Sequence, residues 1–282
     1  MLAGIGSMQA EVPPQMIEIE AVGDHRAALV ALEAGDFAAM TTAQVVALST
    51  AQVAALTTAQ IRAISATNIA RLETADVAAL TTAQVAAMTT GQVAGLTSGQ
   101  IVALTTGQVA ALTTAQIAAM PATSVAKLET ADIAALGTGQ VAAFGSAQVA
   151  ALTTAQVAAI ETADLAALTT AALKGLTTAQ VPALTTAQVG ALTTAQVASI
   201  ASTLVGKLGT AQVVALTAPA ITALTTAQMG ALTTAQISAL TTTQIAALET
   251  VDIKALSTAQ VAAFTTSQIG AMSSAQVNAL FL

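Results

Sequence analysis

Counting from Leu32, every eighth residue is apolar: Met40, Leu48, Leu56, Ile64 and Leu72 follow, and the series runs through Phe144, Ile200 and Phe264 to Leu280 without a polar residue in thirty-two positions. A second apolar series lies five residues after the first, from Phe37 through Val45, Ile61, Leu165 and Met229 to Val277. Neither series is displaced by an insertion or deletion across about 31 units, each a variant of the phrase L-T-T-A-Q-V-A-A. We name the two apolar positions the Leu slot and the Val slot. Repetition at a fixed short period is the signature of a quasi-one-dimensional stack whose units bury their apolar sides against neighbours.

The spacing selects the local structure. A Val slot and the next Leu slot are three residues apart, one face of a helix; a Leu slot and the next Val slot are five apart, about 140° off that face. An unbroken helix would drift about 80° per octad and wind its apolar stripe into solvent. A break between Leu and Val removes the drift, and the residues there are ones that start helices. In Leu56-Thr57-Thr58-Ala59-Gln60-Ile61, Thr57 and Gln60 match the S/T-x-x-E/Q capping box, and Leu56 and Ile61 occupy the two positions of a hydrophobic staple. The expected fold is therefore all-α: a solenoid or superhelix of very short helices, one per octapeptide, each capped by Thr and about one and a half turns long. Helices this short are unstable alone and must be held by stacking. The alternative is a β-solenoid, opposed by the odd spacings, which place the two slots on opposite faces of a strand, and by the many Ala residues. Disorder is opposed by the apolar content.

Residues 1–23 contain no octad and a Pro-Pro pair, and read as an irregular leader; 24–282 reads as a single uninterrupted octapeptide-repeat solenoid. Three degenerate units, ISATNIARL, MPATSVAKL and IASTLVGKL, are candidates for bends. Pro121 falls in a cap slot, and Pro182 and Pro219 fall near helix ends, where fewer N–H groups have partners. Gly91, Gly99 and Gly107 replace one Ala in successive octads and suggest tight packing.

Composition narrows the function classes. Hydrophobic residues make up 55% of the 282, yet aromatics are 1% and Trp, Tyr and Cys are absent, so the core is thin and made of Leu, Val, Ile and Ala. Zero Cys removes disulfides and thiolate metal sites. Only 7% of residues are charged, with a net charge of -7, and the seven bases are too scattered to neutralise a phosphate backbone, so nucleic acid is not an expected partner. A mean hydropathy of +0.77 invites a membrane reading, but a polar Thr or Gln interrupts every octad, well short of the about 20 apolar residues of a transmembrane span. The first residues lack the basic and long apolar regions of a signal peptide.

The most patterned polar feature is an acid pair: where the cap slot is Glu, the Gln slot is Asp. The pairs are Glu33 and Asp36, Glu73 and Asp76, Glu129 and Asp132, Glu161 and Asp164, and Glu249 and Asp252. They are the only candidate metal ligands, but Ca²⁺ needs six to eight oxygens and no calcium-loop motif accompanies them. Acids near a helix N-terminus meet its dipole and free N–H groups, and caps are the preferred reading. The bases Arg62, Arg71, Lys127, Lys174, Lys207 and Lys254 lie toward the opposite helix end. His25 is the sole histidine and has no nucleophile motif near it, so no enzyme activity and no cofactor are expected. The Thr-Thr rows raise ice or glycan binding, although capping uses the first hydroxyl of each pair.

The phrase LTTAQVAAL, tandem over about nine tenths of the chain, resembles the LTxxQV-type octapeptide arrays of large bacterial surface or secreted proteins of the adhesin, haemagglutinin or calcium-binding kind. That resemblance implies an extracellular stalk or adhesive segment at a bacterial surface, with surface or glycan contact as a candidate interaction. LTTAQV also looks like the first helix of TAL-effector repeats, but the longer repeat and its base-reading loop are missing, which removes DNA recognition. The apolar terminal VNALFL, on a uniform stack, implies end-to-end self-association or membership of a longer chain.

Overall fold

The computed structural model of the chain describes residues 32–281; the leader expected over 1–23, together with His25 and Arg26, lies outside these described residues. Among the described residues there are thirty α-helices of four to six residues and one 3-10 turn, one element per octad, and no strand. The all-α expectation holds, and the β-solenoid does not. The described residues group into two compact units that divide between Leu128 and Glu129.

One octad shows why the elements form. Leu56 closes the helix Thr50–Ala55 in an extended conformation (ψ 144°), and Thr57, also extended (ψ 159°), caps the helix Thr58–Ala63. Two consecutive extended residues between helical runs are the break that the spacing requires. The Thr57 hydroxyl accepts from the Gln60 N–H at 3.2 Å, and Gln60 Oε1 accepts from the Thr57 N–H at 2.8 Å, closing the capping box. Leu56 and Ile61, the staple pair, are both buried. Four octads with neither Gln nor Asp in the Gln slot form helices of only four residues: Ala66–Ile69, Ala122–Val125, Thr170–Leu173 and Ser202–Val205, with Asn68, Ser124, Ala172 and Leu204 in that slot. Three of these are the degenerate units.

The prolines behave in three ways. Pro121 is an N-cap and Pro219 sits in the first turn of Ala218–Thr222, where a missing N–H costs nothing. Pro182 does not fit equally well: it falls at the fifth position past its cap, Thr177, and the octad forms only the 3-10 turn Val181–Ala183. The N–H that would close the α-helical bond at that position is absent.

In each unit a helix packs on the third helix along, as Thr58–Ala63 does on Thr82–Ala87 in the first and Thr210–Ala215 on Thr234–Ala239 in the second. This is a repeat solenoid-like arrangement whose core is the two apolar series. Every Val slot from Phe37 to Ile253 is at most 2% exposed. Burial of such a side chain contributes roughly 1.5–3 kcal/mol, and its repetition offsets the weakness of helices too short to stand alone. No helix of the described residues is long and apolar enough to cross a membrane.

Candidate functional site

The polar side chains that the stack buries are the glutamines. Gln116 is 1% exposed. Its Oε1 takes the N–H of Thr113 at 2.7 Å, and its Nε2 donates to the carbonyls of Val85 at 2.9 Å and Met88 at 2.7 Å, 31 and 28 residues earlier. Gln92 repeats the arrangement on Ile61 and Ile64 at 2.8 and 2.6 Å. In the second unit Gln188 does so on Val157 and Ile160 at 2.8 and 2.7 Å, and Gln244 on Val213 and Leu216 at 2.9 and 2.8 Å. The amide thus works in two directions, caps its own helix and clamps the preceding turn of the stack. Carbonyls at helix ends have no intrahelical partner, and the clamp satisfies the Leu-slot carbonyl that lies 28 residues before such a Gln. The reach from one Gln across to the fourth helix back, with packing on the third, brings the chain alongside itself after between three and four octads. No buried side-chain nitrogen or oxygen among the described residues lacks a hydrogen-bond partner.

The acid pairs occupy the same positions with the polarity reversed. A carboxylate cannot donate to a carbonyl; instead the second Thr of an earlier octad donates to it. Thr50 Oγ1 donates to Asp76 Oδ1 at 2.8 Å, and Thr138 Oγ1 to Asp164 Oδ1 at 2.7 Å, each across 26 residues. Asn68 does both jobs: it accepts from Thr42 Oγ1 at 3.0 Å and donates to the Met40 carbonyl at 2.8 Å. The other Asp oxygen takes the cap N–H, from Glu33 to Asp36 at 3.0 Å, from Glu73 to Asp76 at 3.1 Å and from Glu129 to Asp132 at 2.9 Å. The pairs Glu161 and Asp164, and Glu249 and Asp252, stand at the same cap positions without that closed box. Among the described residues no three His, Asp or Glu side chains gather as a metal-holding group. The bases stand where the spacing places them, Arg62 and Lys254 in the last turns of their helices and Lys174 as a C-cap.

Family models place this geometry. The model described as the ALTTAQ repeat matches residues 29–66, 69–106, 125–159, 157–194, 205–242, 221–250 and 245–281, well over half of the chain. The chain belongs to the ALTTAQ repeat family. A comparison with curated proteins finds no match. The family phrase, written without change at Ala111-Leu112-Thr113-Thr114-Ala115-Gln116, contains the first half of the staple, both halves of the box and the clamping amide. It is a tandem-repeat protein whose defining letters are structural bonds.

Two features of the ALTTAQ array depart from the sequence reading. The glycines Gly91, Gly99 and Gly107 are not at tight contacts, since a Cβ at Gly107 would meet nothing within 4 Å. The close approaches are at Gly175 and Gly206, where a Cβ would lie 2.1 Å from the Ser146 carbonyl oxygen and 2.8 Å from that of Ala231. The second Thr of each pair is not always free, because Thr42, Thr50 and Thr138 bond across turns.

At Asp252, burial first, and the neighbouring Glu249 charge second, raise the pKa above the ordinary carboxylate value. A folded pKa above the unfolded one, near 3.9, means that no stability is lost below the unfolded value, that stability declines as pH rises through the folded value, and that it then levels off. Asp252→Asn is expected to remove this decline and to supply an amide toward the Leu224 carbonyl, as Asn68 does toward Met40. The expected gain at neutral pH is about 1 kcal/mol in urea unfolding. A variant less stable than the parent at neutral pH would refute it.

Proposed function

We propose that this ALTTAQ repeat protein is a non-catalytic structural or interaction element, a stalk, adhesin segment or filament-forming part of a bacterial surface or secreted protein. The reading is supported above all by the buried amide clamp. The recurring glutamines are used up in holding one turn to another, which is what a spacer requires and what a ligand site does not. The outward residues of most octads are Thr, Thr and Ala with little variation, which suits a long uniform surface at the cell exterior.

The runner-up is a ligand-binding repeat surface for ice, glycan or Ca²⁺. The Thr-Thr rows favour it, while the use of cap hydroxyls and of three second-Thr hydroxyls inside the stack weakens it. Thermal unfolding with and without Ca²⁺ separates the two. The structural reading expects an unchanged transition, because Asp36, Asp76, Asp132 and Asp164 already accept from backbone N–H or Thr hydroxyl groups and no three acids gather among the described residues. A transition raised by Ca²⁺ would replace it with a calcium-binding surface, since a ligand that binds only the folded state stabilises it by mass action.

A further inference from the structure

The second unit is not clamped evenly. Its helices pack on the third helix along, three octads to a turn. The buried apolar series run through turn after turn alike, so the amides between turns set the differences. Between residues 136–159 and 160–183 one amide crosses, that of Gln180 to Val149 and Leu152 at 2.8 and 2.6 Å. The other two positions hold Asp164, which takes the Thr138 hydroxyl at 2.7 Å, and Ala172, which has no polar side chain. The next three joins carry two amides each, from Gln188 and Gln196, then Gln212 and Gln228, then Gln236 and Gln244. The last carries three, from Gln260, Gln268 and Gln276.

The turn 160–183 is weak within itself as well. Its helix Thr162–Ala167 lacks the closed capping box, Thr170–Leu173 is four residues long, and Pro182 leaves only the 3-10 turn Val181–Ala183. Each later turn of the unit, and the one before, has a boxed α-helix. On the far side of 160–183, Leu204 stands where a third amide would reach back, and the amides of Gln188 and Gln196 hold that face. The close approach of Gly175 to Ser146 does not replace a clamp: the carbonyl oxygen faces a Cα, a far weaker donor than an amide.

We infer that the turn 160–183 is a built-in yield point: it opens before its neighbours, so that a stack under tension lengthens there while the more heavily clamped turns stay closed. The inference rests on the structural reading above and adds to it where that element gives way. In a quasi-one-dimensional stack each turn is held by the two beside it, and helices this short do not persist once released. The 24 residues of the turn, fully extended, span about 80 Å.

Hydrogen exchange of the 282-residue chain tests it. The N–H groups of Leu165, Leu173, Ile237 and Ile245 all bond four residues back at 2.9–3.0 Å, so their protection factors compare the opening of two turns. A net hydrogen bond is worth roughly fivefold in such an opening, and the turn 232–255 is held by the amides of Gln236, Gln244, Gln260, Gln268 and Gln276. Leu165 and Leu173 are expected to exchange at least tenfold faster than Ile237 and Ile245. Asp164→Asn keeps the acceptor for Thr138 and supplies a donor toward the Leu136 carbonyl, as Asn68 does toward Met40. It is expected to slow Leu165 and Leu173 about fivefold and to leave Ile237 and Ile245 unchanged; Gln180→Met is expected to speed the first pair alone. Stretched between cysteines introduced as Thr130→Cys and Phe281→Cys, the parent is expected to lengthen first by a step of at most about 80 Å, at a force that Asp164→Asn raises. Equal protection in the two turns overturns the inference, as does an Asp164→Asn variant that exchanges and stretches like the parent, or a single step in which the whole unit opens. An even profile with unfolding that ignores Ca²⁺ would remove the yield point and leave the structural role standing; an uneven profile with a calcium-raised transition would do the reverse.

Discussion

Gln116→Glu is expected to lose roughly 3 to 5 kcal/mol at neutral pH, the range for an uncompensated charge buried beside groups that cannot neutralise it. The substitution changes almost nothing in size. One oxygen still takes the Thr113 N–H, but the other replaces Nε2 and faces the carbonyl oxygens of Val85 and Met88 across what were bonds of 2.9 and 2.7 Å. The loss should therefore be pH-dependent in one direction. Protonation restores a donor, so the folded-state pKa of the new carboxyl lies above its unfolded value near 4.3. Stability is greatest below that unfolded value, falls as pH rises through the folded one, and stays low beyond it. Gln116→Met, which removes the donor and the cap acceptor without adding charge, should destabilise at all pH values alike. Urea midpoints of the two variants across pH decide the matter: parallel profiles would mean that the amide does not clamp the turns.

Gly175→Ala is expected to cost roughly 3 kcal/mol, the upper part of the range for overpacking. Its Cβ would stand 2.1 Å from the Ser146 carbonyl oxygen, 2.8 Å from the carbonyl carbon and 2.9 Å from Cα, all of them backbone atoms that cannot swing aside. Ala172 stands three residues earlier in place of the long amide, and the backbone at Gly175 lies against the octad 29 residues back. Gly107→Ala is the matched control, since nothing lies within 4 Å and its helical position favours Ala by about 0.5–1 kcal/mol. Thermal unfolding of the two variants should move in opposite directions, and equal shifts would refute the close approach.

What could be read from the letters alone was whatever closes within eight residues. The box of Thr57 and Gln60, the staple of Leu56 and Ile61 and the break between them are local, and the structure has all three. The clamp was not legible because it joins residues 28 and 31 apart in a chain whose octads are nearly identical, so no letter says which earlier octad is the partner. A clue existed at Gly137, Gly145 and Gly209. These replace the Thr cap and remove one half of the box, yet Gln140, Gln148 and Gln212 remain in place. A glutamine retained without its reciprocal partner has a second task, and Gln212 performs it on Val181 and Leu184 at 3.0 and 2.6 Å. The glycines misled for a related reason. Whether a missing Cβ matters depends on the turn alongside, which the letters of one octad do not specify.

The Asp of each acid pair was legible as part of a helix cap, but its bond to an earlier turn was not. Asp is one methylene shorter than Gln and cannot donate, so the Thr hydroxyl of the earlier turn bridges the gap. Rungs of both polarities therefore join the turns, and only the amide kind relieves the helix-end carbonyls.

Hydrogen exchange of the glutamine side-chain amides tests the clamp most directly. The NH₂ groups of Gln84, Gln92, Gln100, Gln108 and Gln116, all 1–2% exposed, are held on carbonyls of the preceding turn. They are expected to exchange only when octads open, with protection comparable to the backbone N–H groups of the same helices. Side-chain amides that exchange as fast as those of an unfolded chain, while the backbone stays protected, would contradict the account.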